Sequence, residues 1–301
     1  MSAIASLTGR VEAVIVIMSA IASATADIGK AYRRFTVLFR MRNAYGFYTL
    51  TKREFLRFFT VPNNTIFPQM ITTLFFFLIF GVAVGSRIAL DVDISYLLFI
   101  LPGLMIQNLI NGSYSNPSGS LYTSRSFGNI NDVLLAPISS LQFTLAYVFA
   151  GMLRGFFLMV GTVLVALAFF AFDPTLVLPS VHHWGIVGAY AVLTAFAFSC
   201  MGVIVGLWAK TWEQLNIFIN FVVTPLTFLG GVFYTLSMVP ELMARLTQLN
   251  PIFYMISGMR YGMLGIRDSD PFIGLGIMVV ISAVMFIVTY LLISRGWNLK
   301  T

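Results

Sequence analysis

Residues 141–172 read "LQFTLAYVFAGMLRGFFLMVGTVLVALAFFAF", 32 positions in which Arg154 is the only charge. Coiled as a helix at about 1.5 Å per residue, this run would reach about 48 Å, well past a hydrocarbon core of about 30 Å. Its apolar residues do not alternate with polar ones as they would in a barrel strand. In lipid the backbone must satisfy its own hydrogen bonds, so the run is a membrane helix. The sequence around it follows the same rule.

Five more runs are apolar and about 20 residues long: 66–85, 94–114, 184–209, 215–234 and 271–294. Together with 141–172 they predict an all-α integral membrane protein with six transmembrane helices. The composition agrees. A chain of 301 residues that is 58% hydrophobic, 15% aromatic and 10% charged lies outside the range of soluble globular domains.

The distribution of Lys and Arg predicts the orientation. Thirteen of the 18 fall in the first 65 residues, in the connections after spans two and four (Arg125, Lys210) and after span six (Arg295, Lys300). The other side carries Arg87, Arg245, Arg260 and Arg267. By the positive-inside rule both termini are cytoplasmic. The net charge of +7 then reflects topology and attraction to anionic headgroups, and no nucleic-acid partner is expected.

The N-terminal region divides in two. "AVIVIMSAIASATA" (13–26) looks like the apolar part of a signal peptide, but Glu12 offsets Arg10 ahead of it, and 14 residues are too few for a seventh span. Residues 1–40 are therefore read as an extension upstream of Met41, with a frayed or interfacial segment as the alternative. Residues 41–65 hold "FYTLTKREFLRFF" (47–59), with Phe47, Leu50, Glu54, Phe55 and Phe58 near one face and Lys52, Arg53 and Arg57 elsewhere. That pattern predicts a basic amphipathic helix lying in the interface, or a plain soluble helix. "VPNNTIFP" (61–68) then turns the chain into the first span. Residues 66–301 form the transmembrane domain.

Two short segments interrupt the spans. "NINDVLLAPIS" (129–139) lies on the cytoplasmic side, with Ile130, Val133, Leu134 and Pro137 at helical spacing. Asn129 or Asn131 can cap it, and Asp132 suits its N-terminal end. An apolar stripe there faces either headgroups or another protein. On the opposite side, residues 230–265 contain Pro240 and Pro251 at helix starts, with Asn250 and Gly265 at helix ends. The two resulting pieces are too short to span and predict a re-entrant helical hairpin before the last span.

Three motifs carry a resemblance: "GNINDVLLAPISSLQFTLAYVFAGMLRG" (128–155), "GGVFYTLSMVP" (230–240) and "LNPIFYMISGMRYGMLG" (249–265). Together, on six spans in this order, the chain from residue 41 onward resembles the permease subunits of type 2 ABC exporters, which carry drugs, lipids or polysaccharides. The resemblance implies a coupling helix at Asn129, Ile130, Asn131, Asp132, Val133 and Leu134 that docks on a separate ATP-binding subunit. It implies a connecting helix over 47–59, including Lys52, Arg53, Glu54 and Arg57. It also implies a working unit of two permeases, as a homodimer or related heterodimer, and two ATPases, which bind ATP and magnesium. The substrate route would follow the permease interface.

The residues themselves agree with that division of labour. No G-x-x-x-x-G-K-[ST] element is present, and Gly29-Lys30 lacks both the upstream glycine and the hydroxyl residue. The chain is thus expected to be a non-catalytic transport subunit without a cofactor of its own. Glu213, in the other cytoplasmic connection, is either a second ATPase contact or a solvated loop charge. Only Arg154 is ionisable within a span, which disfavours ion-coupled carriers. It lines the route, meets an anionic headgroup, or snorkels from the cytoplasmic interface.

The remaining readings concern the substrate and its alternatives. Phe218, Phe221, Pro225, Phe228 and Phe233 in span five are candidate route residues, offering apolar surface to a hydrophobic or amphipathic substrate. His182 and His183 are adjacent, so their side chains should diverge, and two ligands do not complete a metal site. Cys200 is the only cysteine. The alternative function is an ATPase-independent multi-pass protein, a channel or scaffold.

Overall fold

The computed structural model describes residues 45–57, 66–84, 94–136, 138–172 and 180–299. The expected extension over 1–40, Phe58, the turn at 61–65 and Pro137 lie outside these residues. The chain divides into two compact units, Met1–Phe47 and Tyr48–Thr301. Only residues 45–47 of the first are described, as the start of a helix. The rest of the account concerns the second unit.

Among the described residues the regular structure is all helical. In chain order the elements are α1 (45–57), α2 (Phe67–Phe76, continued by a wider π-type stretch, Phe77–Val84), α3 (Tyr96–Ser126), α4 (Ile130–Leu135) and α5 (Ser140–Phe172). Then come α6 (Trp184–Trp208), α7 (Trp212–Ile217, continued through π-type Phe218–Val223 into Thr224–Leu229), α8 (Glu241–Leu249), α9 (Pro251–Leu264) and α10 (Pro271–Ser294). Four of these, α3, α5, α6 and α10, are long and apolar enough to cross a membrane. The other two expected spans are the apolar runs of α2 and α7, each of which changes helical pitch part way.

Helix α3 is the axis of the unit. It was expected to end at residue 114 and instead continues to Ser126, 31 residues in all. The sequence hid this because "NGSYSNPSGSLYTSRS" (111–126) is polar and holds Pro117, a residue that usually ends helices. The polar residues are tolerated because neighbouring helices cover them: Asn116, Ser118, Ser120 and Ser124 are all buried. Asn108 shows how such groups are satisfied. Its Nδ2 donates to Thr73 Oγ1 of α2 (2.8 Å) and Thr162 Oγ1 of α5 (2.6 Å), while Gln69 donates to its oxygen. One amide thus ties three helices where lipid offers no alternative partner.

Two glycine pairs allow this close packing. On α5, Gly151 and Gly155 lie four residues apart, and a Cβ on either would meet backbone oxygen of α3, at Ser113 and Leu109 (both 2.8 Å). On α6, Gly202 and Gly206 do the same against Tyr114 and Ser118. Small residues at i and i+4 let helix backbones approach where no hydrophobic drive between helices exists. Because the obstacle at Gly202 is a backbone carbonyl, no rotamer relieves it. Gly202→Leu is expected to destabilise the protein by about 3 kcal/mol, seen as a lowered unfolding temperature in detergent, whereas Gly276→Leu, with open space around it, should be near neutral.

The start of α5 is capped by local sequence. Ser139 Oγ accepts from Gln142 N–H (3.2 Å) and Gln142 Oε1 accepts from Ser139 N–H (3.0 Å), a reciprocal capping box ahead of α5. Ser139→Ala is expected to cost about 1 kcal/mol, measured by the same unfolding assay. At the far end, α8 and α9 match the expected short pieces, with 9 and 14 residues, Pro251 at the first position of α9 and Gly265 ending it at φ 75°. Helix α9 is mostly buried against α3, α6 and α10, whereas α8 exposes Leu242, Leu246 and Leu249.

Candidate functional site

The junction between α3 and α4 is set by one glycine. Phe127 N–H reaches back to Thr123 O and Gly128 N–H to Arg125 O, with Gly128 at φ 74°, a conformation that a Cβ disfavours. Arg125, expected only as a topology marker, is buried and donates through Nη1 to Leu207 O (2.7 Å), Gly206 O (2.9 Å) and Ala209 O (3.3 Å). Its charge therefore meets the C-terminal carbonyls of α6. The base of α4 is thereby tied to two spans.

Helix α4 covers six residues, Ile130–Leu135, rather than the expected 129–138. Its faces also differ from expectation. Ile130 and Val133 are buried against the rest of the chain, while Leu134 is 37% exposed, Leu135 85% and the preceding Phe127 75%. The outward apolar group is thus Phe127, Leu134 and Leu135, with Asn131 and Asp132 exposed beside it. The helical spacing that marked Ile130 and Val133 as outward in fact marks the side that holds α4 to the molecule. Asn129 precedes the helix in a helical conformation and its side chain makes no capping bond, so the expected cap is absent; Asn131 lies within the helix.

Glu213 lies on the first turn of α7, exposed. Thr211 Oγ1 accepts from Gln214 N–H (3.4 Å), and Gln214 Oε1 accepts from Lys210 N–H (2.8 Å). Trp212 packs on Tyr122 of α3, with ring centroids 5.7 Å apart, which places this turn at the same end of α3 as α4. The Glu213 carboxyl is held below the ordinary carboxylate range by its own backbone N–H and by the Thr211 hydroxyl. A depressed carboxyl contributes stability that is present above its unfolded value and lost as pH falls through the folded one. Any difference in unfolding temperature between wild type and Glu213→Gln should therefore shrink as pH falls through about 4.3, the ordinary glutamate value, and vanish below the folded one.

Helix α1 keeps the expected facing: Leu50 and Glu54 are buried, with Glu54 1% exposed, while Lys52, Arg53 and Arg57 are exposed. The guanidiniums of Arg53 and Arg57 nevertheless reach polar groups at the edge of the buried face. Arg53 donates to Glu54 Oε1 through Nη2 (2.9 Å) and Nε (3.2 Å). Arg57 Nη1 donates to Ser120 Oγ of α3 (2.5 Å), and the Ser120 hydroxyl donates to Glu54. Burial lowers the affinity of Arg53 for its proton, and the bond and charge of Glu54 outweigh it, so it titrates above its ordinary value. A buried carboxylate thus holds Arg53, and the serine that donates to it also takes Arg57, bonds that amphipathic spacing could not reveal.

The five candidate route residues do not form one surface. Phe228 and Phe233 pack with Phe76 and Phe80 of α2, the closest pair being Phe80 and Phe233 at 4.3 Å between centroids. Phe218 stacks on Tyr114 of α3 (5.7 Å). Phe221 is 76% exposed and Pro225 is also exposed. Arg154 is half-buried on α5, and its Nε has no hydrogen-bond partner.

Two features at the other end were missed or misread. Arg260 of α9 is 1% exposed, pairs with Asp268 (2.6 Å), donates to Gly231 O (2.6 Å) and lies 4.1 Å from the Phe99 ring centroid. Tyr96 of α3 donates to Phe233 O nearby (2.8 Å). A lone Arg in an apolar stretch was the available signal, read only as a loop charge. The His182 and His183 rings do not diverge; they lie 4.3 Å apart, both beside Tyr261, because backbone bonds of both to Met263 and Gly262 fold the loop back on α9. Among the described residues, no group of three or more His, Cys, Asp or Glu comes together.

Comparison with known proteins gives a consistent result. The ABC-2 type transporter family matches residues 45–264. Inner membrane transport permease YadH of Escherichia coli strain K12 is 38% identical over 249 residues, 83% of this chain and 94% of that protein. The proteins of the same name from Escherichia coli O157:H7 and Shigella flexneri match over the same shares at the same identity.

Proposed function

The chain belongs to the ABC-2 type transporter family and is a membrane subunit of an ABC transporter, and from that premise we propose that it is the permease of an exporter driven by a separate ATPase. By analogy with the permease YadH it resides in the inner membrane, with both termini cytoplasmic. Two copies of this chain, or one with a related permease, assemble with two ATP-binding subunits. Those subunits bind ATP and magnesium; this chain contributes no P-loop.

The observation that supports the coupling most is the outward face of α4. Phe127, Leu134 and Leu135 expose apolar surface next to Asp132 on a helix held from behind by Ile130 and Val133. Such a knob fits an apolar groove in a partner. Glu213 lies at the same end of α3 and serves as a second contact. Movement of this end then rocks the spans as rigid bodies. The substrate is hydrophobic or amphipathic, a drug-like molecule or lipid, and Phe221 and Pro225 are the route residues left free to meet it.

The test is reconstitution. Vesicles holding this chain and its co-purifying ATPase should move a fluorescent amphiphile only with hydrolysable nucleotide. Equal transport by this chain alone, without nucleotide, would instead establish an ATPase-independent channel.

A further inference from the structure

A cavity of about 540 Å³ lies between α1 and the end of α3, lined by Arg53, Glu54, Leu56, Arg57, Thr123 and Ser124, with Asn129 before α4 closing one side. Its charge is unbalanced. Among the described residues Glu54 is the only carboxylate in the lining and is already engaged by two bonds from Arg53 and one from Ser120. Among the described residues no carboxylate pairs with Arg57, whose partner is the Ser120 hydroxyl. Tyr147 of α5 lies within the field of Glu54, Arg53 and Arg57, and its buried hydroxyl makes no hydrogen bond of good geometry. Arg154 of α5 carries an unpartnered, buried Nε. Two guanidiniums of the lining thus share one neutralising carboxylate, beside the Ser124 hydroxyl.

We propose that this cavity binds a phosphate group carried by an anionic lipid of the cytoplasmic leaflet. A phosphodiester supplies the acceptor oxygens that a guanidinium fork takes in pairs, and the Ser124 hydroxyl can donate to a remaining one, the Thr123 proton being held by Gly119 O. The surroundings favour a lipid over a soluble phosphate. Leu56 is exposed at the rim, and Phe149, Leu153 and Phe157 form an exposed apolar stripe on α5 flanking Arg154. Acyl chains can lie along such a stripe while the headgroup reaches the arginines. Since Asn129 forms part of the wall, an occupied cavity would brace α1 against the base of α4. The assignment to the cytoplasmic leaflet rests on the orientation proposed above; binding itself needs no ATPase.

The experiment uses the purified full-length chain in detergent, without a partner, and native mass spectrometry to count retained lipids. Phosphatidylglycerol should be retained and phosphatidylcholine should not. Arg57→Gln should weaken phosphatidylglycerol retention roughly tenfold, the size of one charge-assisted hydrogen bond, and Arg53→Gln with Arg57→Gln should abolish it. Arg57→Lys should keep an intermediate affinity, and Arg295→Gln, a surface cation elsewhere, should match wild type. Unfolding temperatures with and without lipid show which variants are folded. The proposal is overturned if phosphatidylcholine binds equally, if folded arginine variants keep full affinity, or if inorganic phosphate protects as well as the lipid does. Because the readout is binding to the lone chain, a failure of ATP-driven transport leaves this result untouched, and the reverse holds too.

Discussion

Leu135→Asp is expected to lower nucleotide-driven transport by about 30-fold while leaving the unfolding temperature within a degree or two of wild type. The first half of that expectation follows from exposure. Leu135 is the most exposed apolar side chain of α4, and the central apolar anchor of a docking surface contributes about 2 kcal/mol or more, a factor of about 30 in binding. A carboxylate there would also have to be desolvated on docking. The second half follows from which residues hold α4 in place. Ile130 and Val133 face inward, so Leu135 can change without loosening the helix. Asp132→Lys should act in the same direction, and Ile130→Ala should instead lower the unfolding temperature. Transport and ATPase activity measured together in vesicles, with circular dichroism melting of each variant, separate these outcomes. Full coupling in a folded Leu135→Asp protein would remove α4 from the ATPase interface.

Arg260→Ala is expected to have the largest effect on stability, about 3–5 kcal/mol. Removing the guanidinium leaves Asp268, itself nearly buried, without its partner, frees the Gly231 carbonyl and strips the Phe99 ring of its cation. The cost is mostly that of an uncompensated buried charge, so Asp268→Asn combined with Arg260→Met should recover much of it. Thermal unfolding in detergent measures both. If Arg260→Ala melts like wild type, the pair does not hold the end of α9. The group links α9, the turn after α7, the loop before α10 and α3.

The membrane class was legible because hydrophobic length is a local property. The 141–172 run matched α5 to within a residue, and 271–294 matched α10 at both ends. Capping signals were equally local: Pro251, Asn250 and Gly265 took the places their chemistry dictates. Where the reading failed, the deciding partner was distant in sequence. The polar continuation of α3 is a helix only because α1, α5, α6 and α7 satisfy and cover it. The bonds that Ser120 makes with Glu54 and Arg57 join positions more than 60 residues apart, which amphipathic spacing does not report. Facing of α4 was reversed for Ile130 and Val133 because helical spacing identifies a stripe without saying whether its own protein or another covers it.

By itself, then, the sequence determined that this chain crosses a membrane as helices, where most of them begin and end, and that it holds no G-x-x-x-x-G-K-[ST] element. These are matters of composition, length and backbone hydrogen bonding, which residues near in sequence settle among themselves. The tertiary structure alone decided which side of α4 is free, which group Arg57 of α1 binds and that Arg260 is buried. Each of these depends on contact with residues from other helices. A charge or an apolar stripe takes its role from what covers it, and the one-dimensional order does not contain that information.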